Sequence, residues 1–275
     1  MNTNTRYEAA DQKDISAPQP SAADRREFWD GRAQEFSEHA ASTGYPEQFI
    51  GVMMPRRTWT VLDMGCGGGT IAVPLARKVR SITAVDFSKR MIDIVDRRCH
   101  TGGITNVKTI QGSWEDDWNS LGIGVYDVAI ASRSLIGDDV KGSIAKLDRA
   151  ARKAVYITTI VGSGPFDKEL YESTGRTLNM GKDYIYYYAA LYEMGIMANV
   201  AFIPEHYRNQ WDSHEEALED QRWMFRGMMT GEEEDKVRAY LKRRLVQVLG
   251  RWRLPYSRQC RWAVMWWTKD RRVER

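Results

Sequence analysis

Cysteine is scarce in this chain of 275 residues. Cys66, Cys99 and Cys260 share no metal-ligand spacing and, being three, cannot all pair. A disulfide framework and a three-cysteine iron–sulfur run are therefore excluded, and a reducing compartment is expected. Long apolar runs are missing as well. No stretch approaches the roughly 18 to 20 apolar residues that a membrane span needs, and the first 24 residues are polar, so no membrane span and a cytoplasmic location are expected. Charge of one sign is not in excess: 40 Lys and Arg stand against 37 Asp and Glu, a net charge of +3. That balance argues against duplex nucleic acid as the main partner. The four histidines (His39, His100, His206 and His214) fall in no motif, and no metal site is expected.

What is present is a foldable composition, 43% hydrophobic and 28% charged, enough for one large domain or one domain with a substantial insertion. Residues 1–24, with Pro18, Pro20 and no apolar period, read as a disordered tail, leaving 25–275 as the folded domain. Phe28, Trp29, Ala33 and Phe36 are helically spaced, and a second apolar cluster from Phe49 to Met54 precedes Pro55. Two short helices over 25–59 are thus expected before the core. From Thr60 a strand, a glycine turn and a helix follow, then a strand ending at Asp86, a helix, and a third strand from Val107 to Ile110. Tyr126–Ala131 and Val155–Val161 are continuous apolar runs, as parallel strands covered on both faces require. Asp183–Ile196 reads as a helix, Asn199–Ile203 as a sixth strand and Arg261–Thr268 as a seventh. Between the last two, Ser213 with Glu216 and Thr230 with Glu233 fit capping boxes, so 205–252 reads as a helical insert whose second helix runs to a stop at Gly250. The fold class predicted is α/β, a doubly wound seven-stranded mixed sheet.

The order Asp63-Met64-Gly65-Cys66-Gly67-Gly68-Gly69 places an acid before the glycines. A pyrophosphate-binding loop reads G-x-G-x-x-G and has no carboxylate there, because the carboxylate would repel the phosphates. An acid at this point suits a ligand with a cationic end. Glycines at 65, 67 and 69 let the backbone approach that ligand and adopt positive φ. Asp86, 23 residues further on at a strand end, is placed to accept both hydroxyls of a ribose. Adenosine carrying an amino acid satisfies both ends, whereas NAD does not.

Val61–Thr70, Ala84-Val85-Asp86-Phe87-Ser88 and Tyr126–Ser132 together resemble the class I S-adenosylmethionine-dependent methyltransferases. Within them the sequence is most similar to the small-molecule branch that includes the ubiquinone and menaquinone C-methyltransferases. The resemblance covers about Trp29 to Val161. It implies S-adenosyl-L-methionine as cofactor and a seventh strand that runs antiparallel. It also implies that Asp63, Gly65, Cys66, Gly67 and Gly69 hold the methionine end, that Asp86 holds the ribose and that Phe87 packs on adenine. The acid that usually reads the adenine amino group is replaced by Ser113, leaving Ser113, Glu115 or the backbone near Trp114 for that task. Ser132 would offer its carbonyl to the cofactor amine, and Arg133 would face the site or pair locally. Trp29 and Arg32 lie in a stretch similar to the lid helix of this branch, from which an Arg could reach the cofactor carboxylate; as plain helix residues they would be core and solvated charge.

Methyl transfer needs little beyond positioning, so a catalytic residue is optional; the candidates are Tyr45, His39, His206 and Arg133. Tyr184, Tyr188 and Tyr192 form a stripe that is either packing or the wall of an acceptor pocket. Lys236–Arg275 carries thirteen basic residues, but Asp212–Asp235 holds nine acids that could neutralise them. The expected partner is therefore a small-molecule acceptor and not a nucleic acid. The alternatives are an RNA or protein methyltransferase that uses the basic segment, and a non-catalytic cofactor-binding protein of the same fold.

Overall fold

The structure is a computed structural model that describes residues 22–135, 139–207, 209–225 and 228–269. Residues 1–21 of the expected tail lie outside the described residues, and 22–24 already belong to helix α1 (Ala22–Ser42). The chain divides into two compact units, one made of residues up to 159 with 181–203 and 263 onward, the other of 160–180 with 204–262.

In chain order the strands are β1 (Thr60–Met64), β2 (Ser81–Asp86), β3 (Val107–Gln111), β4 (Tyr126–Ser132), β5 (Ala151–Ile160), β6 (Asn199–Tyr207), β7 (Val246–Val248), β8 (Arg251–Arg253) and β9 (Arg258–Thr268). Seven of them form one mixed sheet in the order β3-β2-β1-β4-β5-β9-β6, the doubly wound architecture the sequence predicts. The first five pair in parallel. The Val161 amide donates to the Arg261 carbonyl and the Lys269 amide to the Lys153 carbonyl. Positions beside β5 therefore rise as those on β9 fall, and the two run antiparallel.

Strand side chains alternate between faces, which explains the continuous apolar runs. Leu62, Met64, Ala129, Ala131, Val155 and Ile157 join Ile144 and Leu147 of α5 (Val140–Arg149) and Tyr187 and Leu191 of α7 (Tyr184–Glu193) in one core. The intervening Val61, Ile82, Ala84, Val128 and Ile130 are also buried, so neither face is open. Helix α4 (Lys89–Thr101) starts where the Ser88 hydroxyl accepts from the Met91 amide, and its Met91 and Ile94 pack with Ala33, Trp29 and Phe36 of α1. Helix α2 (Tyr45–Met53) buries Tyr45, Phe49 and Ile50, and α3 (Ala72–Ala76) follows the glycine turn. The first helix, at 21 residues, is longer than the short element its apolar period suggests.

The second unit has its own core, in which Leu170, Trp211, Leu218, Phe225, Val237, Tyr240 and Leu241 meet. It includes α6 (Lys168–Glu172), α8 (His214–Gln221) and α9 (Gly231–Arg244). Thr230 and Glu233 form the full capping box the sequence predicts. At Ser213 the hydroxyl accepts from the Glu216 amide, but Glu216 reaches back to the Asp212 amide. One expectation is corrected here. Helix α9 ends at Arg244, and Leu249-Gly250, both at positive φ (51° and 82°), form the turn of the β7–β8 hairpin; two left-handed residues suit a tight hairpin and break a helix. Residues 160–180 also belong to this unit.

Candidate functional site

The carboxyl ends of β1, β2 and β4 open into a cavity of about 390 Å³ in the first unit. Its floor is the glycine turn. The amides of Gly65 and Cys66 both donate to the Val85 carbonyl, at 2.8 and 2.9 Å, which ties the turn to β2. Gly65, with φ 71°, passes so close to the next strand's exit that a Cβ would stand 2.3 Å from the Ser134 Cβ. Asp86 accepts from the Gly67 amide at 2.8 Å and from the Ser88 amide at 3.0 Å. Each carboxylate oxygen keeps a further lone pair, and the residue lines the cavity. Burial raises the Asp86 pKa, the charge of Asp30 adds to this, and the backbone amides offset part of it.

Asp63 is the anomaly. The residue is 1% exposed, yet neither carboxylate oxygen accepts a hydrogen bond of normal geometry among the described residues. Burial, and next the charge of Asp86, push its pKa up to about 7, and the Ala72 amide offsets only part of that. Orphaned buried carboxylates are costly, so this one calls for a cationic partner. Burial, Asp86 and Asp63 likewise push the Cys66 thiol up, which keeps it protonated and unreactive.

The remaining walls come from three segments. Helix α1 contributes Arg25, Arg26, Trp29 and Phe36; the loop after β3 contributes Gly112 to Asp116; the exit of β4 contributes Ser132, Arg133 and Ser134. The β3 loop is pinned. Asp116 accepts from the Ser113 amide at 2.8 Å, the Trp114 indole donates to the Ser134 carbonyl at 3.0 Å, and Lys146 donates to the Trp114 carbonyl at 2.7 Å. The wall thus carries both carboxylates and guanidiniums.

A family model described as a methyltransferase domain matches residues 61–154, the segment that builds this floor and the β4 wall. The fold is that of a candidate methyltransferase from Bacillus halodurans C-125, with a TM-score of 0.57 at 15% identity over 82% of this chain and 98% of that one. The chain belongs to the class I S-adenosylmethionine-dependent methyltransferases. Along most of its length this methyltransferase is also similar to an uncharacterized protein of Haemophilus influenzae, 32% identical over 88% of this chain and 89% of that protein. Shorter matches reach a magnesium-protoporphyrin O-methyltransferase of Rhodobacter capsulatus (31% identity, 36% of this chain and 43% of the enzyme) and a 23S rRNA (uracil(1939)-C(5))-methyltransferase of Pseudomonas entomophila (31%, 24% and 14%).

S-adenosylmethionine is the cofactor of this family, and the site fits it: a buried carboxylate without a hydrogen bond of normal geometry suits an ammonium, and the glycine turn leaves room that a Cβ would fill. Of the sequence candidates, Asp63, Gly65, Cys66, Gly67, Asp86, Phe87, Ser113, Trp114, Ser132, Arg133 and Trp29 all line the cavity. Gly69 does not; at φ 79° it shapes the turn, and a Cβ there would lie 2.7 Å from Val73. Arg32 is outside the wall, 3.7 Å from Glu35 and over the Phe28 ring. Its neighbours Arg25 and Arg26 hold the position expected of it, one turn or so before Trp29 on the same helix face. His39 is exposed and His206 belongs to β6 in the second unit. Tyr45 is fully buried outside the wall, with its hydroxyl 2.7 Å from the Ser132 Oγ and 2.8 Å from the Thr158 Oγ1. The tyrosine stripe is not a wall of this cavity. Tyr188 and Tyr192 are exposed and Tyr184 meets Phe202; the buried tyrosine of this helix is Tyr187, outside the stripe, which donates to the Leu135 carbonyl and is pushed up to about 12 by burial.

Asp116 is a wall residue that the sequence reading misses. The loop's acid stands three residues after Ser113 and folds back onto its amide, the reach-back contact of a capping box that the spacing Ser-Trp-Glu-Asp could have signalled.

Proposed function

We propose that this methyltransferase acts on a small-molecule acceptor, in keeping with the small-molecule branch its motifs resemble. The observation that carries this reading is the roof: α1 lays Arg25, Arg26, Trp29 and Phe36 over the same cavity that the glycine turn floors. A cavity of about 390 Å³ is of small-ligand size, and a helix across it favours molecules that fit beneath over a polymer laid along a groove. The basic C-terminal segment supports the same side. Arg238 pairs with Glu215, Glu234 and Asp235, Arg244 with Glu169, Lys236 with Glu232, and Arg251 with Asp212. These cations spend their charge inside the second unit, which leaves less for phosphates.

The cofactor supplies an electrophilic sulfonium methyl, whose bond to sulfur breaks as the acceptor's lone pair forms the new one. Asp63 would take the ammonium, Asp86 the ribose hydroxyls, and the loop from Ser113 to Asp116, facing Phe87, the adenine. With both ends held, the acceptor is left the space by Ser132, Arg133 and the roof. Among the described wall residues there is no histidine, lysine or tyrosine. Rate enhancement therefore rests on positioning, which can be worth roughly 7 to 11 kcal/mol.

Incubation with cofactor bearing a tritiated methyl and, in parallel, a metabolite fraction below 1 kDa, total RNA and total protein tests the reading. Label is expected in the small-molecule fraction. Label in RNA alone would make the polymer reading the correct one.

Asp86→Ala is expected to weaken S-adenosylhomocysteine binding by about 2 to 4 kcal/mol, since charge-assisted hydrogen bonds are worth roughly 1.5 to 3 kcal/mol each. Calorimetric titration reads this directly. An unchanged affinity in a variant with unchanged circular dichroism would remove Asp86 from the ribose.

A further inference from the structure

We propose that a second cavity, beside the glycine turn, binds a phosphoryl anion, and that its occupancy steadies the turn and tightens cofactor binding. This cavity measures about 190 Å³ and lies within the first unit. Two arginines reach it from two helix ends: Arg77 is the C-cap of α3, and Arg98 stands in the last turn of α4. The Arg98 Nη1 donates to the Gly68 carbonyl at 2.5 Å, and the Arg77 Nη2 donates to the Gly102 carbonyl at 3.5 Å. A guanidinium carries five N–H donors. Each of these two makes a single hydrogen bond and no ion pair among the described residues. Helix C-termini attract cations, which accounts for each charge but not for their meeting in one cavity. Burial pulls the Arg98 pKa below its ordinary value, as expected of a half-buried cation whose charge is not answered nearby.

The carboxylate of Glu47 lines the same cavity. It stands in the first turn of α2, where the helix dipole suits an acid, and it forms no ion pair among the described residues. Even with Glu47 counted, the wall keeps a net positive charge. Pro46, Val73, Pro74 and Ile104 make much of the rest apolar. Two guanidinium forks from different helices suit a group that presents several oxygens on one centre and carries up to two charges, which a phosphoryl group does and a carboxylate does not. Arg98 links this cavity to the cofactor's. The carbonyl it holds belongs to the turn that floors the cofactor cavity, and Thr70, next after that turn, lines both cavities. An anion that fixes the guanidinium also fixes the carbonyl it holds, so part of the ordering that the cofactor would otherwise impose is already done. By linkage the cofactor tightens the anion by the same factor.

Calorimetric titrations at neutral pH and constant ionic strength, set with chloride, test this. Protein saturated with S-adenosylhomocysteine, so that the cofactor cavity is filled, is titrated with inorganic phosphate, methyl phosphate and acetate. At least one of the two phosphates is expected to bind about ten times more tightly than acetate, and comparing them tells the free ion from a monoester. In saturating phosphate, S-adenosylhomocysteine is expected to bind about fivefold more tightly than in chloride, the lower end of ordinary couplings. Arg77→Gln removes an exposed side chain held by one long contact. It is expected to melt as wild type does and to keep its S-adenosylhomocysteine affinity in chloride, while binding phosphate about tenfold more weakly and losing the coupling. Arg98→Gln should lose phosphate in the same way. Wild type that takes acetate as well as phosphate overturns the proposal, as does phosphate that leaves S-adenosylhomocysteine affinity unchanged. Arg77→Gln that binds phosphate like wild type also overturns it, by putting the anion elsewhere. Wild type that binds no S-adenosylhomocysteine removes the cofactor assignment, and the coupling with it.

Discussion

Asp63→Asn is expected to abolish measurable cofactor binding and at the same time to make the ligand-free protein more stable above neutral pH. The two effects share one cause. The carboxylate sits buried with no hydrogen bond of normal geometry and with its pKa pushed up to about 7 from an ordinary 3.8. Between those values the folded protein keeps a proton that the unfolded chain has released. Stability therefore falls as pH rises from about 4 to about 7 and stays low above that. Asparagine carries no charge and is spared this cost. Three pKa units would correspond to about 4 kcal/mol, but a buried amide without partners has its own penalty, so a gain of about 1 to 2 kcal/mol at pH 8, vanishing near pH 4, is expected. Binding runs the other way. The ammonium needs the ionised acid, so wild-type affinity should climb about tenfold per pH unit up to about 7 and then level off, and the variant should show no such slope. Thermal melts and calorimetric titrations across pH 5 to 8 measure both. A variant that binds S-adenosylhomocysteine within threefold of wild type would end the role given to Asp63.

Gly65→Ala should be nearly as damaging, through sterics alone. The methyl would meet the Ser134 Cβ at 2.3 Å and the Ser134 Oγ at 2.7 Å, on a backbone at φ 71°. Ser134 has little freedom to yield, because its hydroxyl donates to the Met64 carbonyl at 2.5 Å and its own carbonyl accepts from the Trp114 indole. A destabilisation of about 2 to 4 kcal/mol is expected, overpacking and left-handed strain together. In the double variant Gly65→Ala/Ser134→Gly the clash is gone, and only the backbone penalty of about 1 kcal/mol should persist. Urea denaturation of the four proteins in the cycle gives the coupling. Additive effects would show that the two residues do not collide.

The parts of the site that the sequence discloses are those fixed by local chemistry. A strand end, an acid and a run of glycines can do little except turn, so Asp63, Gly65 and Gly67 are legible, and so is Asp86 at the next strand end. Strand number is legible too, because continuous apolar runs of this length, set between helical periods, can be buried on both sides only as inner strands of a sheet. What depends on packing direction is less so. Arg32 and Arg25 have the same residue type and lie on the same helix, and only the packing of α1 against α4 through Trp29, Ala33 and Phe36 decides which reaches the cavity. The tyrosine stripe misleads for a similar reason: spacing shows that Tyr184, Tyr188 and Tyr192 share a face, but not which way it looks. In the second unit, Leu245, Val248 and Leu249 continue the apolar period of α9, and the period hides a turn that Leu249-Gly250 makes in left-handed geometry.

The sheet order also bears on how the chain matures. Strand β6 has β9 as its sheet neighbour and β9 lies between β5 and β6, so the penultimate strand of the sheet has nothing to pair with until residues 258–268 have been synthesised. On a ribosome adding roughly 5 to 20 residues per second, some 50 residues separate the two, which leaves β5 and β6 as open edges for several seconds. Open edges recruit strands from other chains. A ribosome-bound intermediate of this protein should therefore bind holdase chaperones until β9 slots in. Premature stop codons upstream of residue 258 should yield aggregates and not a smaller working enzyme, even though every residue of the glycine turn would already have been made.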